Sequence, residues 1–511
     1  MKKIIAFIAL IVTLASCSDL LEEKSFSSLT VESFFNNYDE ANQTVIGAYS
    51  LLTATQYYKR GLLNIVGFTS DDSYHNGALF TVFDDGDLDS NNSLVENLWD
   101  VIFNLNGRTN FTVFAMEQTD KLSEEEKTLL LGRVRFLRAL NLYNAVRLWG
   151  DIPLIKEYSA SDENTYPARS PKADVYAFIE EDLMYCVSTL PVIETEYGFP
   201  TKGAAFGLLG KVYMSQEKWT DANSAIDSVI GLGMYDILDN YMDVFDVNNE
   251  NNVEELFSIQ FKNDDAYAGE NSLGSLLPFW FIPKLADLGM VGDPNQTAGQ
   301  MRVEHATYDR YSTGDYTNDG RNQIFITSYP NLNTGKTIKR YPENTTAAAQ
   351  GPACGKYQDP TNSNERNYNN NLYILRYADI LLMKAEVENE LHGATGIAYE
   401  YFNKVRLRSN TIELTPGLSK EGFRDAIADE RGLEFFGEFQ RWFDQTRMKR
   451  NGESYYKYTK EKVVSEGKFT HPAQARWALA YYPKYELMPI PGKEIANNPN
   501  INIDNQNPNY Q

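Results

Sequence analysis

The chain has 511 residues, with 47 Lys+Arg against 70 Asp+Glu, a formal net charge of −23, and 42% hydrophobic residues. Such a chain is globular and long enough for about two to four domain-sized units. Its charge repels nucleic acid and anionic lipid headgroups. The 3 cysteines exclude a disulfide framework, and the 4 histidines (His75, His305, His392, His471) are too scattered for a zinc spacing.

The N-terminus is a targeting segment. Lys2 and Lys3 precede an apolar run, Ile4 to Leu14, broken only by Thr13. That run is short of the roughly 17–25 residues that cross a bilayer but fits a signal-peptide core. Leu14-Ala15-Ser16-Cys17 resembles the lipobox of bacterial lipoproteins, which makes residues 1–16 the signal peptide and Cys17 the lipid-bearing first residue of the mature chain. Losing Lys2 and Lys3 leaves a net charge of −25, so attachment rests on the acyl chains (palmitate among them) and not on a basic patch.

Ser18–Glu23 then reads as an acidic tether and Thr30 as a helix cap, with helical spacing over Tyr38–Thr53. Residues 66–92, rich in Gly, Asp and Asn, predict a break. Helical periodicity returns over Leu94–Met116 and again over Ser123–Trp149, which Gly150-Asp151-Ile152-Pro153 ends. Pro171 opens the next helix, and Leu190-Pro191 closes it. Phe206, Leu209, Gly210, Tyr213, Trp219, Ala222 and Ile226 fall at tetratricopeptide-repeat offsets, echoed at Ala398, Phe402 and Val405. Between these two repeats, about residues 240–370 form a loop-rich insertion, too long to lack structure of its own. Helices are predicted at Leu372–Asn389, Gly396–Arg408, Lys420–Phe436 and Phe439–Lys449, before an irregular Pro- and Asn-rich tail. Cys186 lies in a helical pattern, and it and Cys354 read as two free, buried thiols.

Blocks along the whole mature chain, in a fixed order, carry a family resemblance. They include Cys17-Ser18-Asp19, Trp99 with Asn106 and Asn110, Arg135-Phe136-Leu137-Arg138-Ala139, and Arg147-Leu148-Trp149-Gly150-Asp151-Ile152-Pro153. They continue through Tyr373-Ile374-Leu375-Arg376-Tyr377-Ala378-Asp379, Glu430-Arg431, Arg441-Trp442-Phe443-Asp444, Pro489-Ile490-Pro491 and Gln506-Asn507-Pro508. On these the chain resembles the SusD/RagB family of outer-membrane nutrient-binding lipoproteins of the Bacteroidetes type. Gly432, Gly437 and Gln440 depart from the family pattern.

The resemblance implies a mostly α, SusD-like fold: a tetratricopeptide-like helical scaffold with the long insertion. The units are 17–235 and 236–511, forming one compact body. It implies a starch-binding-like glycan binder in polysaccharide utilisation that works with a SusC-like TonB-dependent outer-membrane transporter, faces the exterior and performs no catalysis. A RagB-like peptide binder shares the same scaffold and partner. A glycoside hydrolase or a pure tetratricopeptide adaptor are the remaining readings.

Acids in the motif blocks, Asp379, Glu386, Glu430, Glu434 and Asp444, read as ion pairs fixing helices and not as acid/base pairs. Ligand residues are therefore sought in loops, where aromatics offer flat faces and acids and amides meet hydroxyls. One segment offers Asp71, Asp72, Tyr74, His75, Asn76 and Phe80; a second offers Trp280, Phe281, Arg302, Tyr308, Arg310, Tyr311 and Tyr316. Trp280 heads the list as a sugar platform. Asp85, Asp87, Asp89, Asn91, Ser93 and Glu96 match calcium-loop offsets, but Ser90 stands where that loop needs glycine. Calcium, the one cofactor in view, and a solvated helix cap are both readings of this run.

Overall fold

The computed structural model describes residues 35–511 except 76–79, 160–165, 264–272, 283–300, 332–333, 342–350, 360–365, 467–477, 480–483, 485 and 511. The signal peptide, Cys17, the tether, Thr30 and Asn76 lie outside the described residues.

Local signals set the helix ends. α1 (Tyr38–Tyr49) begins where the Asn37 side chain accepts from the Glu40 N–H, and a 3-10 turn, Ser50–Thr53, completes the predicted span. α2 (Gly61–Thr69) is buried throughout and carries helix past the expected break at residue 66. Gly67 fits there because Met301 and Phe439 fill the space a Cβ would take. β1 (Ser73–His75) and a short α3 (Thr81–Asp85), stopped by Gly86 at φ +84°, follow. α4 (Ser93–Gln118) is capped by Asn92 and α5 (Glu124–Trp149) by a Ser123–Glu126 capping box, which satisfies N–H groups that no helix can satisfy itself. β2 (Ile152–Pro153) pairs with β3 (Arg169–Ser170), and α6 (Lys172–Thr189) starts after Pro171.

α7 (Lys202–Met214) and α8 (Trp219–Gly231) are the pair that the repeat offsets predicted. A Cβ on Gly210 would lie 3.2 Å from both Ile226 and Met383, so glycine allows close approach on two sides. Met383 belongs to the later helix Tyr377–His392, so the second repeat packs directly on the first despite the insertion between them in sequence.

The insertion leaves and rejoins at one sheet. β4 (Glu255–Ile259) pairs antiparallel with β10 (Leu372–Arg376) and brings its two ends together. Between them run α9 (Leu277–Phe281), β5 (Met301–Val303), α10 (His305–Tyr311), β6 (Phe325–Ile326), the β7–β8 hairpin (Ser328–Asn331, Lys336–Lys339) and β9 (Ala353–Cys354). β5 pairs with β1 and β6 with β9, so the insertion is stitched to the segment after α2. β10 corrects the helix expected from Leu372: its apolar run finds a strand partner, and helix begins only at Tyr377.

α11 (Tyr377–His392), α12 (Gly396–Arg408), α13 (Lys420–Glu434) and α14 (Arg441–Arg447) complete the scaffold. Gly437 (φ +77°) and Phe439 (φ +61°) turn the chain between the last two, which shortens both expected helices. β11 (Lys449–Arg450), β12 (Glu453–Ser454), α15 (Tyr455–Glu466) and α16 (Gly492–Asn497) follow. The largest hydrophobic core runs from Ala48 to Tyr510 and includes Cys186 and Cys354, both free thiols. The tail is clasped to the end of α5: Trp149 Nε1 donates to Pro489 O at 3.1 Å, and Asn507 Nδ2 to Trp149 O at 3.0 Å. No described helix is long and apolar enough to cross a membrane.

Candidate glycan-binding site

The motif acids hold the scaffold. Asp379 faces Arg431 at 2.7 Å and Lys211 at 2.6 Å, and Glu386 faces Arg447 at 2.5 Å. Arg376 alone joins Glu254, Glu434 and Glu438, while Arg321 joins Asp319, Glu430 and Glu434. Burial works against the Glu434 charge, but Arg408, Arg376 and Arg321 hold its pKa well below the usual carboxylate range. Every oxygen so engaged is a structural acceptor and not a base waiting for a substrate.

The two loop segments picked from the sequence do meet. β1 and β5 set Tyr74 opposite Arg302 and His75 opposite Met301. The strap after β5 is pinned by Glu304 N to Asp72 O at 2.9 Å and by Thr307 Oγ1 to Asp71 O at 3.1 Å. Most of the picks point inward, however. Trp280 is only 7% exposed, with Phe80 edge-on at 6.0 Å and His75 at 6.4 Å. Asp72, Tyr74, His75, Phe80, Phe281 and Tyr311 are buried too, so they offer no open ring face or carboxylate to a sugar. The physical reason is that the insertion has to bury apolar area of its own, and Pro278-Phe279-Trp280-Phe281 does this as the buried helix α9. Asp71 is taken by Arg441 at 2.6 Å; burial opposes its charge, but Arg441 and Arg310 bring its pKa down to about 2. Arg310 leans on Asp71 at 3.5 Å, and the Tyr316 hydroxyl donates to Glu430 at 3.2 Å.

Arg302 and Tyr308 stay half-buried, and they lead to a surface that the sequence reading missed. The Tyr308 ring meets Tyr341 edge-on at 5.0 Å, and Tyr341 meets His305 at 4.8 Å. The Tyr341 hydroxyl donates to Asp309 Oδ1 at 2.7 Å; burial, then this carboxylate, raises its pKa. Burial lowers the His305 pKa against the opposing pull of Asp309, which favours neutral imidazole at neutral pH. Three half-open rings with an acid hydrogen-bonded among them present flat C–H-binding faces and a fixed polar group together. The β7–β8 hairpin delivers Tyr341. Its signal was Asn331 and Gly335 between β-rich runs, with Gly335 N–H closing on Asn331 O at 2.8 Å.

At the acidic run, lysines already supply positive charge. Lys493 pairs with Glu96 at 3.3 Å, and Lys484 donates to Gly86 O at 2.9 Å beside Asp87 and Asp89. Asp89 Oδ1 accepts from Asn91 N–H at 2.8 Å. The Asp85 side chain lies outside the described ones, and no group of three or more metal-ligating side chains gathers among the described residues. The calcium reading gains no support.

Comparison with known proteins extends the geometry. Residues 19–214 match the family model described as "Starch-binding associating with outer membrane", and residues 302–510 match that of the SusD family. A SusD-like protein, P25, of Formosa agariphila is 27% identical over 480 residues, covering 87% of this chain and 89% of its own. A SusD homologue from Bacteroides thetaiotaomicron superposes with a TM-score of 0.81 at 23% identity, covering 94% of this chain and 98% of that one. A laminarin-binding SusD-like protein superposes at 0.75 with 22% identity, covering 93% and 100%. With two family models spanning most of the chain and relatives matching nearly end to end, this protein belongs to the SusD/RagB family.

Proposed function

We propose that the protein is a surface lipoprotein of the outer membrane that binds an oligosaccharide or polysaccharide and passes it, chemically unchanged, to a SusC-like TonB-dependent transporter. The observation that carries this reading is the match of residues 19–214 to the starch-binding, outer-membrane-associating family model. The laminarin-binding neighbour adds weight, as does the half-open group of Tyr308, Tyr341 and His305 beside Asp309 and Arg302. Lipid on Cys17 anchors the chain, and the two tetratricopeptide-like pairs give the helical surface on which a barrel docks.

Affinity electrophoresis through gels of starch, laminarin and acidic polysaccharides tests binding. Retardation by at least one polymer is expected, and Tyr308→Ala and Tyr341→Ala each weaken it by roughly tenfold to a hundredfold, the effect of losing one stacked ring. Binding to peptides but to no glycan overturns the reading. For the anchor, Cys17→Ala is expected to release a folded protein from the outer-membrane fraction and abolish palmitate labelling.

A further inference from the structure

Two arginines in the insertion differ from the other buried arginines of the described residues. Buried arginines elsewhere, such as Arg133, Arg138, Arg321, Arg376, Arg431 and Arg441, each face a carboxylate within 3 Å. Arg340 is equally buried, yet it pairs with no carboxylate among the described residues: Nε donates to Gly351 O at 3.3 Å and Nη2 has no partner. Arg302 is half-buried, and its Nε and Nη1 have no hydrogen-bond partner among the described residues. Burial lowers its pKa, and the groups acting against that are the phenols of Tyr74 and Tyr329, not a carboxylate.

The two side chains border one place. Tyr74 stands opposite Arg302 in the β1–β5 pair, its hydroxyl accepts from Gly351 N–H at 3.0 Å, and Arg340 holds the Gly351 carbonyl. Gly351 is itself fixed: a Cβ there would run into Val303 O and lie 3.0 Å from the His305 ring. His305 belongs to the ring group of the candidate site, so the arginines adjoin it. A buried cation without a counter-charge is costly, and a chain with net charge −23 has acids in excess with which to neutralise one. Two such guanidinium groups linked through Tyr74 and Gly351 favour an anion, since a guanidinium fork matches a carboxylate or sulfate oxygen pair.

We propose that Arg302 and Arg340 form an anion subsite of the glycan site and select an acidic sugar carrying a carboxylate or a sulfate ester. This rests on the glycan-binding reading above.

The test compares matched polymers in affinity gels: polygalacturonate against its methyl ester, and carrageenan against its desulfated form. The full-length protein is expected to bind at least one acidic member about tenfold more tightly than its neutral counterpart, and which pair responds separates carboxylate from sulfate. Arg302→Gln and Arg340→Gln remove that preference; Arg302→Lys keeps part of it. Thermal melts accompany each variant, because an arginine without a counter-charge is expected to leave the melting temperature unchanged or raised on replacement. Equal binding of the charged and neutral members, or a drop of more than about 5 °C in Arg302→Gln, overturns the subsite and leaves the glycan reading standing. Binding to no polymer at all counts against the glycan reading. Melts with sodium galacturonate and sodium sulfate then decide the arginine pair by itself: stabilisation that Arg302→Gln abolishes supports it, and no anion-dependent shift refutes it.

Discussion

The helical scaffold and the insertion solve the same problem in opposite ways. In the scaffold, charge is buried and neutralised on the spot: Arg431 between Asp379 and Asp444, and Arg447 on Glu386. The insertion buries rings at Trp280, Phe281 and Tyr311, keeps others half-open at Tyr308 and Tyr341, and leaves two arginines without carboxylates among the described residues. A completed ion network has nothing left to offer a ligand, whereas an uncompleted one does. The proposed recognition site thus falls in the region whose polar groups are unfinished.

The largest expected effect breaks the scaffold side of that comparison. Arg376→Met removes one of the buried cations that Glu254, Glu434 and Glu438 share, and removing one partner of a buried pair costs about 3–5 kcal/mol. Arg408, Arg321 and Lys356 still face these acids, so we expect the middle of that range, about 4 kcal/mol by denaturant titration. A loss under about 1 kcal/mol, the size of a surface pair, would mean that the network is solvated.

Next, Trp280→Ala tests the insertion's core. Large aromatic truncations cost about 3–5 kcal/mol, and we expect the low end, since the indole Nε1 has no hydrogen bond to lose. An unchanged melting temperature with lost glycan affinity would restore Trp280 as a binding platform.

These two variants also mark what the sequence shows and hides. Helix limits at Ser123, Pro171 and Gly396 were legible because caps and a 3.6-residue period are local signals. That Glu430, Glu434, Arg441 and Asp444 hold ion pairs was legible, but their partners, Arg406, Arg408, Asp71 and Arg431, were not announced by spacing. Which aromatic faces outward was not legible either. That depends on β1 meeting β5 and on Arg340 meeting Gly351, contacts between residues distant in sequence that no periodicity announces. An apolar run such as 278–281 has the same composition whether it plugs a core or lines a cleft. Two family departures have a visible cause: Gly437 takes a positive φ of 77°, and the missing side chain of Gly432 makes room for the Tyr311 hydroxyl.

That contact gives a smaller effect at the seam of the two regions. Gly432→Ala would place a Cβ against Tyr311 Oη and 3.2 Å from Arg441 Nη1, and overpacking of this kind costs about 1–3 kcal/mol. The Tyr311 hydroxyl has no hydrogen-bond partner, so Tyr311→Phe is expected to be close to neutral. The double variant should recover most of the loss. Simple additivity of the two changes would refute the contact.

The smallest expected effect lies in pH dependence. Asp72 is buried where Asp71 has already claimed Arg441; burial, with the neighbouring Asp71 charge, pushes its pKa up to about 6 against the opposing hydroxyls of Ser70 and Ser73. A carboxyl raised in the folded state holds its proton more tightly there than in the unfolded chain. Its contribution is therefore most favourable at low pH and is lost as pH rises from the ordinary 3.8 to about 6. Asp71 runs the other way: lowered to about 2, it stabilises above 3.8 and loses that only as pH falls toward 2. Asp72→Asn keeps an acceptor for both serines and removes the charge. It should gain roughly 1–2 kcal/mol at pH 7, gain nothing at pH 4, and take about one proton out of the stability slope between them. Equal stabilities of the variant and the parent across that range would mean that Asp72 stays ionised in the fold, and that the junction of scaffold and insertion is wetter than its burial implies.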